Sequence, residues 1–258
     1  MKILVIGDLT SPGGLAHLKN NLWKKRKELS VDLVIVNGEN ASFVSGISPQ
    51  SATELFLCGA DVITGGNHSL QNKLIYSFME ENSNILRPIN FPAEAAGRGW
   101  CIVEAKNGYR VLVISAMGNV HIEPTLDSPY QYVDKALSEA AGKYDVSVLD
   151  FHAEATGEKG ALAYNYDGKI SVIFGTHTHV PTADIRILPG GTGFITDVGM
   201  CGESGGVLGI LPSSVVEKMR TRLPSKFKPA EGKPIANAAL FTVDEKSGKT
   251  IKAERFDF

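Results

Sequence analysis

The sequence has few cysteines and no long uninterrupted apolar run. Its three cysteines, Cys58, Cys101 and Cys201, are an odd number, lie far apart and include no Cys-x-x-Cys pair. This pattern argues against a disulfide framework, and we expect reduced thiols in a cytoplasmic protein. No stretch approaches the roughly 18 apolar residues of a membrane helix. The short apolar run before Asp8 is also unlike a signal peptide, so no membrane partner is expected.

A large excess of charge of either sign is also missing. Lys and Arg number 26 against 28 Asp and Glu, which gives a formal net charge of -2. A balance this close to neutral provides no bulk attraction to nucleic acid, so no stable nucleic-acid binding is expected. Small nucleotides are still compatible as substrates, and a homo-oligomer is compatible with the composition. The apolar content of 43% predicts a folded globular protein rather than a disordered one.

Short β-type runs alternate with helical patterns along the first half of the chain, which is typical of α/β folds. The predicted strands there are 2–7, 32–38 and 61–64, and the predicted helices are 15–29, 49–59 and 70–81. The second half adds a predicted hairpin of 100–105 with 109–116, a helix over about 130–142 and another after His152. Further strands are predicted at 145–151, 169–175, 183–188 and 193–199, before a terminal hairpin around 246–249. We interpret residues 1–258 as a single domain with two β-rich halves.

Polar residues that can bind a metal recur just past the ends of predicted strands. They are Asp8, Glu39, Asn40, Asn67, His68, His152, His177 and His179. Because ligands of open α/β sheets bind outside the carboxyl ends of the strands, five separate segments are expected to surround one crevice. In an extended segment alternate side chains point the same way, so the two histidines of the His-x-His pair can face one metal site. Each residue alone has an ordinary structural explanation, and only their joint occurrence indicates a site.

This set of residues is chemically coherent. Carboxylates, an amide oxygen and imidazoles suit manganese, iron or zinc, and no thiolate is needed. A carboxylate such as Glu39 can bridge two cations. Two metals about 3.5–4 Å apart can clamp the attacking and leaving oxygens of a phosphoryl displacement.

Seven stretches of the chain, in order, carry a resemblance to a known family. They are GD (7–8), NGENAS (37–42), GISP (46–49), GGNH (65–68), DFHAEAT (150–156), GTHTHVPTAD (175–184) and ITDVGM (195–200). On these motifs the sequence resembles the YmdB-like branch of the calcineurin-type metallophosphoesterases. The resemblance implies an α/β fold of the metallophosphoesterase type, a four-layer α-β-β-α sandwich. It also implies hydrolysis of 2′,3′-cyclic nucleotides or similar small phosphodiesters at a dinuclear metal centre.

The resemblance assigns roles to the same polar residues. It implies one metal held by Asp8, Glu39, Asn40 and His179, and a second held by Glu39, Asn67, His152 and His177. In this scheme a metal-bridging hydroxide attacks phosphorus, and His68 contacts the phosphate and protonates the leaving oxygen. The two ions are divalent or of mixed valence, with iron or manganese expected and zinc or magnesium as alternatives.

Several positions depart from the family pattern. Ser69-Leu70 stands where the family usually carries Trp-Asp after GGNH, which can alter how His68 is oriented because a carboxylate often fixes an imidazole. The loops at 9–14 and 201–206 also differ. These departures motivate an alternative, a catalytically weak metal-binding regulatory protein on the same fold. Metal-dependent hydrolysis of a C–N bond ranks last, because such enzymes generally carry His-x-His at the first strand, where Asp8 stands alone.

Three further features have competing interpretations. Asp197 is expected either to hydrogen-bond a ligand histidine or to form an ordinary cap or salt bridge, and Glu154 lies close to the ligand segments. The Gly-x-Ser-x-Gly pattern at 202–206 lacks the helix that a nucleophile elbow requires, so we interpret it as a Gly-rich loop. The basic run at 24–27 is interpreted as a solvated helical face.

Overall fold

The computed structural model describes residues 1–42 and 46–258, and its elements are numbered along the chain. The strands are β1 (Lys2–Ile6), β2 (Asp8–Leu9), β3 (Leu33–Asn37), β4 (Val62–Thr64), β5 (Trp100–Glu104), β6 (Arg110–Met117), β7 (Val146–His152), β8 (Val172–Thr176), β9 (Arg186–Ile187), β10 (Gly193–Ile195), β11 (Met200–Glu203), β12 (Pro234–Asp244) and β13 (Lys249–Asp257). The helices are α1 (Pro12–Leu29), α2 (Pro49–Leu57), α3 (Ile75–Glu81), α4 (Pro129–Ala140), α5 (Thr156–Asn165) and α6 (Pro212–Thr221).

Serine caps start the first two helices. The Ser11 hydroxyl accepts a hydrogen bond from the Gly14 amide at 3.0 Å, and Ser48 does the same for the Ser51 amide at 3.1 Å. In both cases proline occupies the first turn, where its missing N–H costs nothing. The predicted start of α2 is therefore confirmed, whereas α1 begins three residues before the predicted Leu15, because its cap and not its apolar spacing sets the first turn.

The strands form two sheets. One has seven strands in the order β2-β11-β12-β1-β3-β4, with β13 paired to β12. In it β1 is parallel to β3, with Ile3 opposite Leu33, and antiparallel to β12. The other has six strands in the order β5-β6-β7-β8-β10-β9, with β6, β7 and β8 all parallel. The two predicted hairpins are confirmed as β5 with β6 and β12 with β13.

Alternate residues of each inner strand enter different apolar clusters. Val5 and Ile35 of the seven-stranded sheet pack with Val113, Val148 and Phe174 of the six-stranded sheet in one buried cluster. A second cluster joins the opposite face of the seven-stranded sheet to α1, α2 and α3. A third joins the outer face of the six-stranded sheet to α4 and α5. These layers make the expected four-layer α-β-β-α sandwich.

Some predicted elements are shorter than expected and others were missed. The helix predicted over 70–81 begins only at Ile75, because the amide of Gln71 bonds the His68 carbonyl in a preceding turn. The strand predicted over 183–188 is reduced to Arg186–Ile187, since the Asp184 side chain accepts the Thr196 amide and holds the chain before it in a loop. Helix α6 was not predicted, because its sequence has no apolar periodicity: Ser214 is its one buried residue.

The parallel strands of both sheets direct their carboxyl ends to one edge of the sandwich. In the seven-stranded sheet β3 and β4 end at Asn37 and Thr64, and in the six-stranded sheet β7 and β8 end at His152 and Thr176. The loops that follow these strands meet there. Of the helices within residues 1–42 and 46–258, none is long and apolar enough to cross a membrane.

Candidate metal centre

The segments expected to surround one crevice meet around His152, whose side chain is fully buried. Its Nε2 lies 3.0 Å from Asn67 Oδ1, 3.1 Å from His177 Nδ1 and 3.4 Å from Glu39 Oε1. Its Nδ1 lies 3.6 Å from Asp8 Oδ1. Ligand atoms of Glu39, His152 and His177 all lie within 4.8 Å of one another. Strand ends of both sheets therefore contribute to one donor cluster.

The remaining predicted ligands, Asn40 and His179, lie outside the group of Glu39, His152 and His177 and line the cavity beside it. Asn40 donates from Nδ2 to Glu39 Oε1 at 2.9 Å. Nδ1 of His179 lies 3.4 Å from the carbonyl oxygen of Leu208. Asn40 and His179 both line a cavity of about 390 Å³, which Glu39, His68 and His177 also line. A ligand in this cavity would contact donors of both predicted metal positions.

His68 is held through its backbone more than through its ring. Its amide donates to Glu39 Oε2 at 2.9 Å, and its Nε2 lies 3.4 Å from Nδ2 of Asn67. Its Nδ1 is buried and has no hydrogen-bond partner in the part of the chain that the structure describes. The following Ser69 instead accepts the Gly66 amide at 2.7 Å and so organises the glycine turn.

The backbone of the His-x-His pair differs from the expectation of an extended segment. Both His177, with φ of 98°, and His179, with φ of 61°, adopt left-handed conformations, which are uncommon for residues other than glycine. The His177 amide donates to Asp8 Oδ2 at 2.9 Å, and the Thr178 amide donates to Asp197 Oδ2 at 3.1 Å. These bonds turn the chain just past β8, so simple strand alternation does not explain where the two rings point.

Unpaired atoms show that the cluster fits a cation. Among the described residues, the buried side-chain polar atoms without a hydrogen-bond partner are Asp8 Oδ1, Asn40 Oδ1 and His68 Nδ1, and all three belong to this site. A buried polar atom left unpaired costs about 1–3 kcal/mol. Gly66 leaves the space open, because a Cβ there would lie 2.3 Å from His152 Nε2 and 2.4 Å from Glu39 Oε2. Oxygen and imidazole donors of this kind suit divalent metals.

The charges of the cluster are strongly coupled. Burial opposes ionisation of Glu39, but its attraction to His152 prevails and lowers its pKa to about 2. Burial lowers the pKa of His152, but Glu39 and Asp8 raise it to about 9. Burial and the neighbouring His152 lower the pKa of His177 to about 3. Burial raises the pKa of Asp8.

A buried polar network behind His152 was not predicted from the sequence. Thr176 Oγ1 lies 2.9 Å from His152 Nδ1 and donates to Asp150 Oδ1 at 2.7 Å. The other carboxylate oxygen of Asp150 accepts from Asn37 Nδ2 at 3.0 Å and from the Thr64 hydroxyl. A signal did exist, since each of these four polar residues lies within an otherwise mainly apolar strand.

Glu154 and Asp197, the two other carboxylates near the donor cluster, have different partners. Glu154 Oε2 lies 3.1 Å from His177 Nε2. Asp197 forms a buried salt bridge with Lys159 at 2.7 Å and accepts from the hydroxyl of Thr178 at 2.8 Å. Of the two expectations for Asp197, the structure shows the salt bridge. Asp197 also holds Thr178, the residue between the paired histidines. The segment 202–206 is a loop only in part, because Gly202 and Glu203 lie in β11 and pair with β12; in the turn that follows, Ser204 Oγ donates to the Lys233 carbonyl at 3.0 Å.

Comparisons with known proteins agree along almost the whole chain. The family model described as "YmdB-like protein" matches residues 4–256. A 2′,3′-cyclic-nucleotide 2′-phosphodiesterase of Bacillus subtilis is 40% identical over 255 residues, which is 99% of this chain and 96% of that protein.

Two solved structures are similar throughout. The crystal structure of a hypothetical protein from Thermus thermophilus superposes with a TM-score of 0.91 and 34% identity, covering 100% of this chain and 99% of the other. That of a novel phosphatase from Mycoplasma pneumoniae gives a TM-score of 0.91 and 32% identity, covering 100% and 93%. The sandwich and the order of its elements are therefore shared with both.

Proposed function

The chain belongs to the YmdB-like protein family, and from this premise we propose that it is a metal-dependent phosphoric ester hydrolase, a phosphodiesterase acting on 2′,3′-cyclic nucleotides or similar small phosphodiesters. The observation that carries the proposal is the convergence of carboxylate, amide and imidazole donors around His152, with unpaired buried atoms on Asp8 and Asn40. The activity named for the Bacillus subtilis relative supports the choice of substrate.

We propose a dinuclear centre. One ion is assigned to Asp8, Glu39, Asn40 and His179, and the other to Glu39, Asn67, His152 and His177. The carboxylate of Glu39 contacts both groups, since Oε1 lies 2.9 Å from Asn40 Nδ2 and 3.4 Å from His152 Nε2. Iron or manganese is the proposed metal. When bound, such ions supply positive charge against the phosphoryl oxygens and make water a stronger nucleophile.

The protein's own contribution is to position groups and to move a proton. Glu39 fixes the turn before the catalytic imidazole by accepting the His68 amide at 2.9 Å. From this position His68 is proposed to donate a proton to the departing ribose oxygen as water attacks phosphorus from the opposite side. The buried Asp8 and the backbone of His177 form the opposite edge of the site, joined by a 2.9 Å hydrogen bond.

The test separates metal binding from turnover. The protein is purified without added metal, its metal content is measured by elemental analysis, and hydrolysis of bis-p-nitrophenyl phosphate and 2′,3′-cyclic AMP is assayed with Mn²⁺. We expect about two metals per chain. The His68→Ala protein should keep its metal and lose about 10²–10⁴-fold in kcat, the range for a general acid.

The ligand variants complete the test. Asp8→Ala and His177→Ala should each lower metal content as well as turnover. If both variants kept full metal occupancy and full turnover, the assignment of the site would be wrong.

The alternative of a catalytically weak regulatory protein on the same fold has one observation in its favour. Nδ1 of His68 has no hydrogen-bond partner among the described residues, so no side chain orients this ring through that nitrogen. Two metals per chain without turnover of either substrate would favour this alternative.

A further inference from the structure

We propose that Leu208, Ile210 and Phe227, here called the apolar wall, form a subsite that binds the nucleobase of the substrate. The inference rests on the proposed function. It adds a site for the base, which is the part of the substrate that distinguishes a nucleotide from a sugar phosphate. Nothing in the mechanism above uses these residues.

The apolar wall lies beside the donor cluster. It lines the same cavity of about 390 Å³ as Glu39, His68 and His177. Pockets for small ligands measure about 300–1,000 Å³, so this cavity accommodates one small molecule. A phosphorus atom placed at the donors leaves the remainder of that molecule against the apolar wall.

Backbone hydrogen bonds join residues 207–211, which include Leu208 and Ile210, to residues 228–230, which directly follow Phe227. The Ala230 amide donates to the Gly209 carbonyl and the Leu211 amide to the Lys228 carbonyl, each at 2.9 Å. The backbones of Val207 and Ile210 bond reciprocally at 2.9 and 3.0 Å. The subsite is thus built by the fold and does not depend on one loose side chain.

Leu208 is held in a costly conformation at the mouth of this cavity. Its φ is 54°, in the left-handed region that a bulky residue rarely adopts, and its side chain is 43% exposed. Strain of this kind concentrates at functional sites. Its carbonyl oxygen lies 3.4 Å from Nδ1 of His179. That contact fixes the apolar wall relative to a proposed metal ligand.

The chemistry of the cavity selects a flat, uncharged group. Among the described residues that line it, none is Lys or Arg, so the lining itself offers no permanently charged side chain to a second phosphate or a carboxylate. Phe227 offers an aromatic ring, and the Lys218 Nζ lies 4.6 Å from its centroid in a cation–π contact that steadies it. Bases of any sequence stack on such a ring because each has a π-face.

The experiment compares 2′,3′-cyclic AMP with ribose 2′,3′-cyclic phosphate, which has the same diester without a base. The measured quantity is the ratio of the two kcat/KM values. Phe227→Ala should reduce this ratio about tenfold through KM for the nucleotide, because stacking of a base on an aromatic side chain contributes roughly 5- to 150-fold. Phe227→Trp should retain the ratio. Tyr164→Ala removes a 60% exposed aromatic ring elsewhere and is the matched control.

A ratio that is the same in Phe227→Ala and the parent protein would overturn the subsite while leaving the phosphodiesterase intact. If the parent hydrolyses neither diester, the proposed function fails and the subsite is judged by calorimetry with adenosine. Roughly tenfold weaker adenosine binding by Phe227→Ala would then support it. Equal binding, or none by the parent, would overturn it.

Discussion

Thr176 Oγ1 lies 2.9 Å from Nδ1 of His152 and gives its hydrogen to Asp150, 2.7 Å away. A threonine hydroxyl has a single hydrogen, so toward His152 it can only accept. Nδ1 of His152 therefore carries the proton, and Nε2 is the nitrogen that faces the donor cluster. If His152 holds a metal as proposed, Thr176 and Asp150 together play the part that a carboxylate bonded directly to the imidazole plays in many metal sites.

Removing this hydroxyl should weaken metal binding. In Thr176→Val the side chain keeps its shape, but Nδ1 of His152 loses its acceptor. We expect the affinity for Mn²⁺ or Zn²⁺ to fall about 10–100-fold, the usual effect of losing such a partner. Competition against a chromogenic chelator measures it. Thr176→Ser, which restores the hydroxyl, should bind nearly as the parent does, and equal affinities in all three proteins would contradict the role assigned to Thr176.

The space beside His152 gives a second prediction. A Cβ at Gly66 would lie 2.3 Å from His152 Nε2 and 2.4 Å from Glu39 Oε2, closer than non-bonded atoms can approach. Gly66→Ala should therefore displace two of the proposed metal donors and reduce the measured metal content per chain to near zero. The control is Gly160→Ala on α5, where a Cβ meets nothing within 4 Å. It should keep its metal and gain up to about 1 kcal/mol from helix propensity. Full occupancy in Gly66→Ala would place the metals elsewhere.

The sequence predicted which polar residues converge better than it predicted which contacts hold them in place. Asp8, Glu39, Asn67 and His152 could be placed because each adjoins an apolar strand, and parallel strands direct their carboxyl ends to one edge. The left-handed turn at His177 could not be seen in a local pattern, since distant acceptors impose it, among them Asp8, 169 residues away along the chain.

The apolar wall was missed for a different reason. Leu208 and Phe227 lie in segments without strand or helix periodicity, and backbone bonds between 207–211 and 228–230 bring them together. Such bonds leave no trace in the side-chain pattern. The polar residues inside strands were a usable signal, because a buried Asp150 among apolar neighbours requires partners such as Thr176.

The buried thiols provide a prediction that depends on pKa. Burial raises the pKa of Cys58 to about 11 and that of Cys101 to about 12, and it also raises the pKa of Cys201. The thiolate is the reactive form, and a raised pKa keeps the thiol protonated at pH 8. We expect labelling by a disulfide reagent at least about 100-fold slower than for free cysteine at that pH. In denaturant all three thiols should react. A fast-reacting thiol in the folded protein would contradict this.

The salt bridge between Lys159 and Asp197 affects both the stability of the fold and the geometry of the donor cluster. Both side chains are about 1% exposed, and the Lys159 ammonium also donates to the Thr176 carbonyl at 2.7 Å. Asp197 in turn holds Thr178, between the paired histidines. In Lys159→Met the carboxylate would stay buried without its cation. Breaking a buried pair from one side costs about 3–5 kcal/mol.

We therefore expect a fall of roughly 10 °C in the melting temperature of Lys159→Met, since 1 kcal/mol corresponds to about 2–4 °C in a chain of this size. The matched control is Lys135→Met, which breaks an exposed pair with Glu139 at 3.8 Å and should change stability by less than about 1 kcal/mol.

Adding Asp197→Asn to Lys159→Met removes the unpaired buried charge and should recover part of the lost stability. Metal affinity should fall in Lys159→Met and stay low in the double variant, because the altered turn at Thr178 misplaces His177 and His179 in both proteins. Recovery of both quantities together would mean that Asp197 contributes to folding alone.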